Sequence, residues 1–182
     1  MTRVAIIGAG ISGLACARQL VKAGVSVVVF DKGRGIGGRV ATRRAGDLQF
    51  DHGAPFVRAQ RDDFSALLTS LTGGESAASW TDDKRVTWTV GSPGMSAIPK
   101  AMGVGLDVRL GTQILKVTAD QFGWHLHYGE TQYVATHIVV TVPKPQIAGL
   151  LDYAHPLVAQ LGDVKMEPSL TLMAAVSGSA PL

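Results

Sequence analysis

Two apolar runs at the start of the chain flank a segment with helical periodicity. The run VAII at residues 4–7 ends at Gly8, which is typical of a strand buried on both faces of a parallel sheet. Apolar side chains then recur at helical spacing between Leu14 and Val21. A second run, VVVF at residues 27–30, is rich in β-branched residues. The pattern therefore predicts a strand, a helix and a second, parallel strand.

The rest of the chain predicts shorter elements, separated by glycine and proline. Helices are predicted at residues 61–74, 91–105 and 144–151. Strands are predicted at residues 76–83, 85–91, 106–120, 122–143 and 168–182. The last of these, PSLTLMAAVSGSAPL, is expected to be an apolar strand.

The composition is that of a folded globular protein with a mild positive charge. Of 182 residues, 46% are hydrophobic, and 17 basic against 14 acidic residues give a net charge of +3. No basic run is longer than the pair Arg43–Arg44, so we expect no nucleic-acid partner. No stretch reaches about eighteen apolar residues, so we expect no membrane span. The single cysteine, Cys16, excludes a disulfide framework and favours a reducing compartment, which we take to be the cytoplasm.

The turn between the first strand and the helix carries the spacing G-x-G-x-x-G. Gly8 permits a tight turn, Gly10 lets the main chain approach a pyrophosphate, and Gly13 lets the helix pack closely on the strand. Ile11 and Ser12 open the helix, whose unpaired amides and partial positive charge attract an anion. The motif predicts a dinucleotide site.

A second glycine-rich stretch, DKGRGIGGR, occupies residues 31–39. Asp31 follows the second predicted strand, where it can accept hydrogen bonds from a ribose diol. The first motif does not separate NAD from FAD, since both contain adenosine diphosphate. The second stretch favours FAD, because Gly37 and Gly38 permit close approach and Arg39 adds a planar donor fork that a nicotinamide enzyme does not need. A flexible loop with a solvated arginine is the alternative.

Three segments resemble the flavin-containing amine oxidase superfamily: DKGRGIGGR, GGRVATRR and FDHGAPFVRAQRDDF. They are most similar to its bacterial renalase-like branch, strongly over residues 1–60 and more loosely beyond. The resemblance implies an α/β fold. In it, a Rossmann-like FAD-binding domain (1–56 and 95–145) carries part of an inserted, mainly antiparallel β substrate domain (57–94 and 146–182).

The resemblance also implies where the cofactor is held, without a covalent bond. Lys32 is expected on the adenosine side of FAD, Ile114 near the adenine, and the FDHGA segment beside the flavin ring. The strand HIVVTVP is expected to return to the dinucleotide-binding sheet and to pass the cofactor. The expected cofactor-binding residues are Gly8, Gly10, Ile11, Ser12, Gly13, Asp31, Lys32, Gly38, Arg39, His52, Gly53, Ala54, Ile114 and Val142.

The implied activity is that of an FAD-dependent oxidoreductase. It would transfer a hydride from an amine or a reduced nicotinamide-like substrate to the flavin, which dioxygen would reoxidise. The family's late glycine-rich motif is absent, so we expect a truncated form, or a homodimer or second chain that completes the site. A non-catalytic nucleotide-binding module and an NAD(P)-dependent dehydrogenase remain the alternatives.

No catalytic residue is assigned from the sequence. His52 is either a proton shuttle, a covalent flavin link, or a histidine that is hydrogen-bonded to the backbone of its turn. His125 and His127 form an H-x-H pair without an evident third ligand, so no metal site is expected. Trp80 and Trp88 are either walls of a substrate pocket or core residues.

Overall fold

A computed structural model describes residues 1–176. Its strands are β1 (Arg3–Ile7), β2 (Ser26–Phe30), β3 (Thr42–Ala45), β4 (Leu48–Asp51), β5 (Ala77–Thr81), β6 (Thr87–Gly91), β7 (Val108–Arg109), β8 (Lys116–Asp120), β9 (Gly123–Tyr128), β10 (Thr131–Ala135) and β11 (His137–Val140). Its helices are α1 (Ile11–Lys22), α2 (Asp62–Gly73), α3 (Ala97–Gly103), α4 (Lys144–Leu151) and α5 (Pro156–Gln160).

The chain divides into two compact units. The first unit comprises residues 1–38 and 102–167. The second unit comprises residues 39–101 and the described residues from Pro168 onward. The predicted cofactor and substrate domains are defined by what they bind, whereas these units are defined by compactness alone. The predicted domain boundaries therefore stay a prediction.

The first unit is built on a four-stranded sheet in the order β11-β1-β2-β7, with parallel pairing throughout. The predicted strand–helix–strand unit is confirmed, and β11 returns to this sheet beside β1, as expected. Strand β1 is central, and its Ala5 and Ile6 are fully buried. On α1, Leu14 and Ala17 are fully buried as well. The fold class is therefore α/β and Rossmann-like, as predicted.

An antiparallel sheet of β8, β9 and β10 completes the first unit. Its apolar side chains join a cluster that includes Ile7 and Phe30 from the parallel sheet and Leu126 from β9. The ring of Phe30 meets that of Tyr133 edge-on, with 5.2 Å between the centroids. Burial of this cluster is the main stabilising contribution on this side of the parallel sheet, because it removes apolar area from water.

The second unit contains the hairpins β3–β4 and β5–β6, helix α2 and residues 97–101 of α3. Leu68 of α2 and Ala77 of β5 are its buried apolar residues near the second hairpin. On the opposite face of this hairpin, Trp88 stacks against Phe56 at 4.2 Å between ring centroids. Trp80 pairs with Trp88 across the strands and is 54% exposed.

The predicted strand at residues 168–182 is wrong over its described part. Residues 168–176 have no regular structure, and Leu170 and Leu172 are almost fully exposed. Apolar β-rich sequence forms a strand only when a neighbouring strand accepts its main-chain hydrogen bonds, and none pairs with this segment in the described chain. Residues 177–182 lie outside the described part.

Within residues 1–176, no helix is both long and apolar enough to cross a lipid bilayer.

The H-x-H pair lies on the polar face of the antiparallel sheet. His127 Nε2 is 2.9 Å from Thr118 Oγ1. His125 Nε2 lies 3.0 Å from Asp120 Oδ2, and the two side chains form an ion pair when the imidazole is protonated. Asp120 raises the pKa of His125 above its usual 6.5. The backbone N–H of Phe122, together with His125, lowers the pKa of Asp120 below its usual 3.8.

We expect this pair to stabilise the first unit only within a pH window. The contribution of His125 is lost as pH rises through its raised pKa, and that of Asp120 is lost as pH falls through its lowered pKa. Asp120→Asn should therefore lower the melting temperature between the ordinary pKa values of 3.8 and 6.5 and have less effect well above them. Thermal unfolding followed by circular dichroism at several pH values measures the difference.

Asp83→Asn is the matched control, because Asp83 is exposed and has no ion pair among the described residues. An equal loss for Asp120→Asn inside the window and well above it would contradict the expectation, since it would mean that only the bond to Phe122 matters.

Candidate functional site

The first glycine loop leaves β1 at Gly8, which has φ +112°. Its N–H donates to Phe30 O at 2.8 Å, so the turn begins while the strand is still paired with β2. A Cβ at Gly8 would lie 2.7 Å from Thr141 Oγ1. Both the backbone conformation and the space therefore require glycine at this position.

Gly13 is required for a different reason. It is buried on α1, and a Cβ there would collide with the carbonyl oxygen of Gly8 and lie 2.9 Å from Thr141 Oγ1. The predicted role of Gly13, close packing of the helix against the strand, agrees with this geometry.

Gly10 differs from both of these glycines. Its φ of −74° and ψ of 174° are open to any residue, and a Cβ there would have nothing within 4 Å among the described residues. Neither the backbone nor the packing of the chain requires glycine here. The free space in front of the loop is therefore available to a ligand that approaches the main chain.

The amino end of α1 is free to bind an anion. Its N-cap, Gly10, offers no side-chain hydrogen bond, and no acidic residue lies in the first turn. The amides of the first turn, which begins with Ile11 and Ser12, thus keep their partial positive charge. Next to the open space at Gly10, this end of the helix fits a phosphate group.

Asp31 follows β2 and reaches back to the loop. Its Oδ2 accepts from Ala9 N at 2.6 Å, and its Oδ1 accepts from Gly33 N at 2.7 Å. A carboxylate has about four acceptor positions, so two remain for the ribose hydroxyls that the sequence predicts. Asp31 therefore connects the two glycine-rich loops, whether or not it binds a sugar.

The second glycine-rich loop lies directly against the first. Gly37 N donates to Ala9 O at 3.0 Å, and Gly37 pairs with Gly10 in a parallel bridge. A Cβ at Gly38 would be 3.5 Å from the Cα of Gly10. The two loops are thus joined by main-chain contacts, and no side chain separates them at this point.

Arg39 begins the second unit. Its side chain is exposed and makes no hydrogen bond or ion pair with the described residues. Its carbonyl accepts from Ala54 N at 2.9 Å, and a Cβ at Gly53 would collide with that carbonyl oxygen. The GGR and FDHGA segments therefore run side by side through their main chains, and the guanidinium is available for a ligand.

The two polar residues of FDHGA have different surroundings. Asp51 Oδ1 accepts from Thr42 Oγ1 at 2.5 Å and from Met95 N at 3.0 Å, while Thr42 Oγ1 accepts from Ser96 N at 3.0 Å. Asp51 thus joins the β3–β4 hairpin to the start of α3. His52 is half-buried and forms no hydrogen bond with the described residues, so the backbone bond offered as its simplest role is absent.

The other predicted positions lie in the first unit. Lys32 Nζ donates to Gln146 Oε1 at 3.1 Å on the surface. Ile114 is buried in the apolar cluster with Phe30, so its side chain belongs to the core. Val142 Cγ1 would be 3.5 Å from a Cβ at Gly8, which places Val142 at the first loop. The cofactor roles of these residues remain predictions.

Sequence reasoning missed Thr141. Its hydroxyl donates to Ile7 O at 3.0 Å and to Gly8 O at 3.1 Å, and it limits the space at both Gly8 and Gly13. The only feature of the sequence that pointed to Thr141 was its position directly before Val142, a residue predicted to lie near the cofactor.

Comparison with protein families agrees with this arrangement. Residues 6–71 match the model of the NAD(P)-binding Rossmann-like domain. Residues 70–176 match the model of the flavin-containing amine oxidoreductases.

Curated relatives and solved structures are similar to parts of the chain. A Mycobacterium tuberculosis protein, AofH, provisionally assigned as a flavin-containing monoamine oxidase, is 40% identical over 68 residues, which are 37% of this chain and 15% of that protein. Protoporphyrinogen oxidase 2 of Arabidopsis thaliana is 36% identical over 69 residues, 38% of this chain and 14% of that protein. A crystal structure from Exiguobacterium, provisionally assigned as a protoporphyrinogen oxidase, aligns with a TM-score of 0.71 at 15% identity and covers 88% of this chain and 64% of that one.

The matched segments thus span about one-seventh of the curated relatives, and the chain spans less than two thirds of that solved structure. The flavin-containing model nevertheless covers more than half of the chain. The chain therefore belongs to the family of flavin-containing amine oxidoreductases, and the predicted cofactor, FAD, is confirmed with it.

Proposed function

We propose that the first unit binds the adenosine diphosphate part of FAD at its first glycine loop. The observation that carries this proposal is the contrast between Gly10 and its neighbours. The fold itself requires Gly8 and Gly13, whereas the space at Gly10 is empty and the adjacent helix end is uncapped. A diphosphate fits both features, because it needs close main-chain approach and unpaired N–H donors.

Each residue near the loop has a separate role in this proposal. The first-turn amides of α1 bind the diphosphate, and Asp31 accepts hydrogen bonds from the ribose through its remaining lone pairs. Lys32 lies on the adenosine side. In the second unit, the guanidinium of Arg39 supplies a charged donor for the phosphate or the ring edge. His52, Gly53 and Ala54 are proposed as flavin neighbours.

The proposed reaction is the oxidation of a small molecule, an amine or a reduced nicotinamide-like compound of the kind that renalase-like proteins use. When bound, FAD would supply a two-electron acceptor for the hydride of the substrate carbon, and dioxygen would be the final acceptor of the two electrons. The residues of this chain bind and orient the cofactor. We propose that a second copy of the chain, or another chain, completes the enclosure of the flavin.

The proposal is tested on the purified protein. We expect a yellow protein with the visible absorption of oxidised flavin, whose cofactor, released by heat, has the mass of FAD. A colourless protein that binds ADP would instead identify the nucleotide-binding module, and release of NAD would identify a dehydrogenase. Either of these two results would overturn the proposal.

Gly10→Ala should separate folding from cofactor binding. The backbone conformation at Gly10 accepts alanine, so the melting temperature without cofactor should stay the same or rise, in line with about 0.4–1 kcal/mol of stabilisation. The added methyl group would occupy the ligand space, so the dissociation constant for FAD should rise about tenfold or more, as measured by fluorescence titration.

Gly13→Ala is the comparison variant, with an expected destabilisation of about 1–3 kcal/mol because its methyl group collides with Gly8 O. Unchanged FAD affinity in a folded Gly10→Ala protein would mean that the space at Gly10 does not receive the cofactor.

Arg39→Ala should weaken FAD binding about tenfold or more, because a hydrogen bond from a charged donor contributes about 1.5–3 kcal/mol. Its effect on folding should be small, since the side chain is exposed and unpaired among the described residues. The control is Arg44→Ala, which removes another exposed arginine from the same unit. Equal FAD content in both variants and the wild type would exclude Arg39 from the site.

A further inference from the structure

Two threonines bracket β11, and both bond to β1. At the start of β11, Thr136 N donates to Arg3 O at 2.9 Å, while its hydroxyl accepts from Arg3 N and donates to Arg3 O. At the other end, Thr141 N donates to Ile7 O at 2.9 Å, and its hydroxyl donates to Ile7 O and Gly8 O. The same side-chain chemistry thus joins both ends of one strand pair.

Only one of the two threonines contacts the glycine loop. Thr136 bonds to the first residue of β1, at the end of the sheet away from the loop. Thr141 Oγ1 lies against Gly8 and Gly13 and would be 2.7 Å and 2.9 Å, respectively, from a Cβ at each. If the two hydroxyls only joined β11 to β1, removing that of Thr141 would affect the glycine loop no more than removing that of Thr136.

The contacts of Thr141 complete a pattern in the turn. The carbonyl oxygens of Ile7 and Gly8 are bonded to Thr141, and that of Ala9 is bonded to Gly37 N. Ala9 N, in turn, donates to Asp31. All three carbonyl acceptors ahead of α1 therefore have partners within the protein.

The orientation of these carbonyl groups affects how strongly the loop binds an anion. A carbonyl oxygen that turned toward a diphosphate would repel it, whereas free N–H groups attract it. The carbonyl of Gly8 belongs to the same peptide as Ala9 N–H, so Thr141 and Asp31 hold this peptide from its two ends. The Thr141 hydroxyl is the only donor to that oxygen from outside the loop among the described residues.

We propose that Thr141 is a positioning residue of the dinucleotide site, which holds the Gly8 carbonyl away from the diphosphate and leaves only N–H donors facing it. The inference rests on the proposed function, since it concerns the same site. Thr141 does not need to touch the ligand, and its effect is confined to the phosphate end of the nucleotide.

The experiment compares ADP with adenosine, which lacks the diphosphate, by calorimetric titration of the apoprotein. Thr141→Val keeps the shape of the side chain and removes the hydroxyl. It should raise the dissociation constant for ADP about three- to tenfold, the value of one neutral hydrogen bond. The dissociation constant for adenosine should change less than about twofold. Thr141→Ser, which keeps the hydroxyl, should bind ADP like the wild type.

Thr136→Val is the matched control, because it removes the hydroxyl that joins β11 to the other end of β1, away from the glycine loop. It should lower the melting temperature without a change in ADP affinity. If Thr141→Val does not fold, Thr141→Cys replaces the hydroxyl with a weaker donor and should show a smaller loss of the same kind.

Three results would overturn the inference while leaving the proposed function intact. These are wild-type ADP affinity in folded Thr141→Val or Thr141→Cys, an equal loss of ADP and adenosine binding, and an equal loss of ADP binding in Thr136→Val. A wild-type protein that binds neither ADP nor FAD would overturn the proposed function, and the inference with it.

Discussion

The tight turn at Gly8 is the constraint on which the first unit depends. Strand β1 is paired on both sides, by β2 and by β11, and its final residue is still hydrogen-bonded when the chain reverses into α1. Such a reversal needs a positive φ and a close approach between strand and helix, and only glycine allows both. The few atoms around Gly8 thus determine the order of the strands and the position of α1, and they also form part of the proposed binding loop.

The three glycines of the motif are not equivalent in physical terms. Gly8 and Gly13 are glycines because the protein has no room for a larger residue, so their roles are complete without a ligand. Gly10 has room for a side chain, and neither the backbone nor the packing of the described chain requires glycine there. This distinction separates the part of the motif that builds the fold from the part that serves binding, and a spacing pattern alone does not reveal it.

Two carboxylates of the glycine-rich and FDHGA segments, one in each unit, have structural partners of their own. Asp31 holds Ala9 and Gly33, and Asp51 holds Thr42 and Met95. In contrast, the side chains of Arg39 and His52 have no hydrogen-bonding partner among the described residues. A polar group without a partner can bind a ligand at little cost to the fold, since no internal bond is broken.

The return of β11 to the parallel sheet was expected from the family resemblance. Local properties of the sequence were sufficient for the strand–helix–strand unit and the glycine loops, because periodicity and spacing act over a few residues. The same reasoning placed a strand at residues 168–176, where pairing, a non-local property, is absent from the described chain. It also passed over Thr141, which meets Gly8 across 133 positions of sequence. Only the tertiary structure decides such contacts, because they form when β11 pairs with β1 and brings a hydroxyl to the end of another strand.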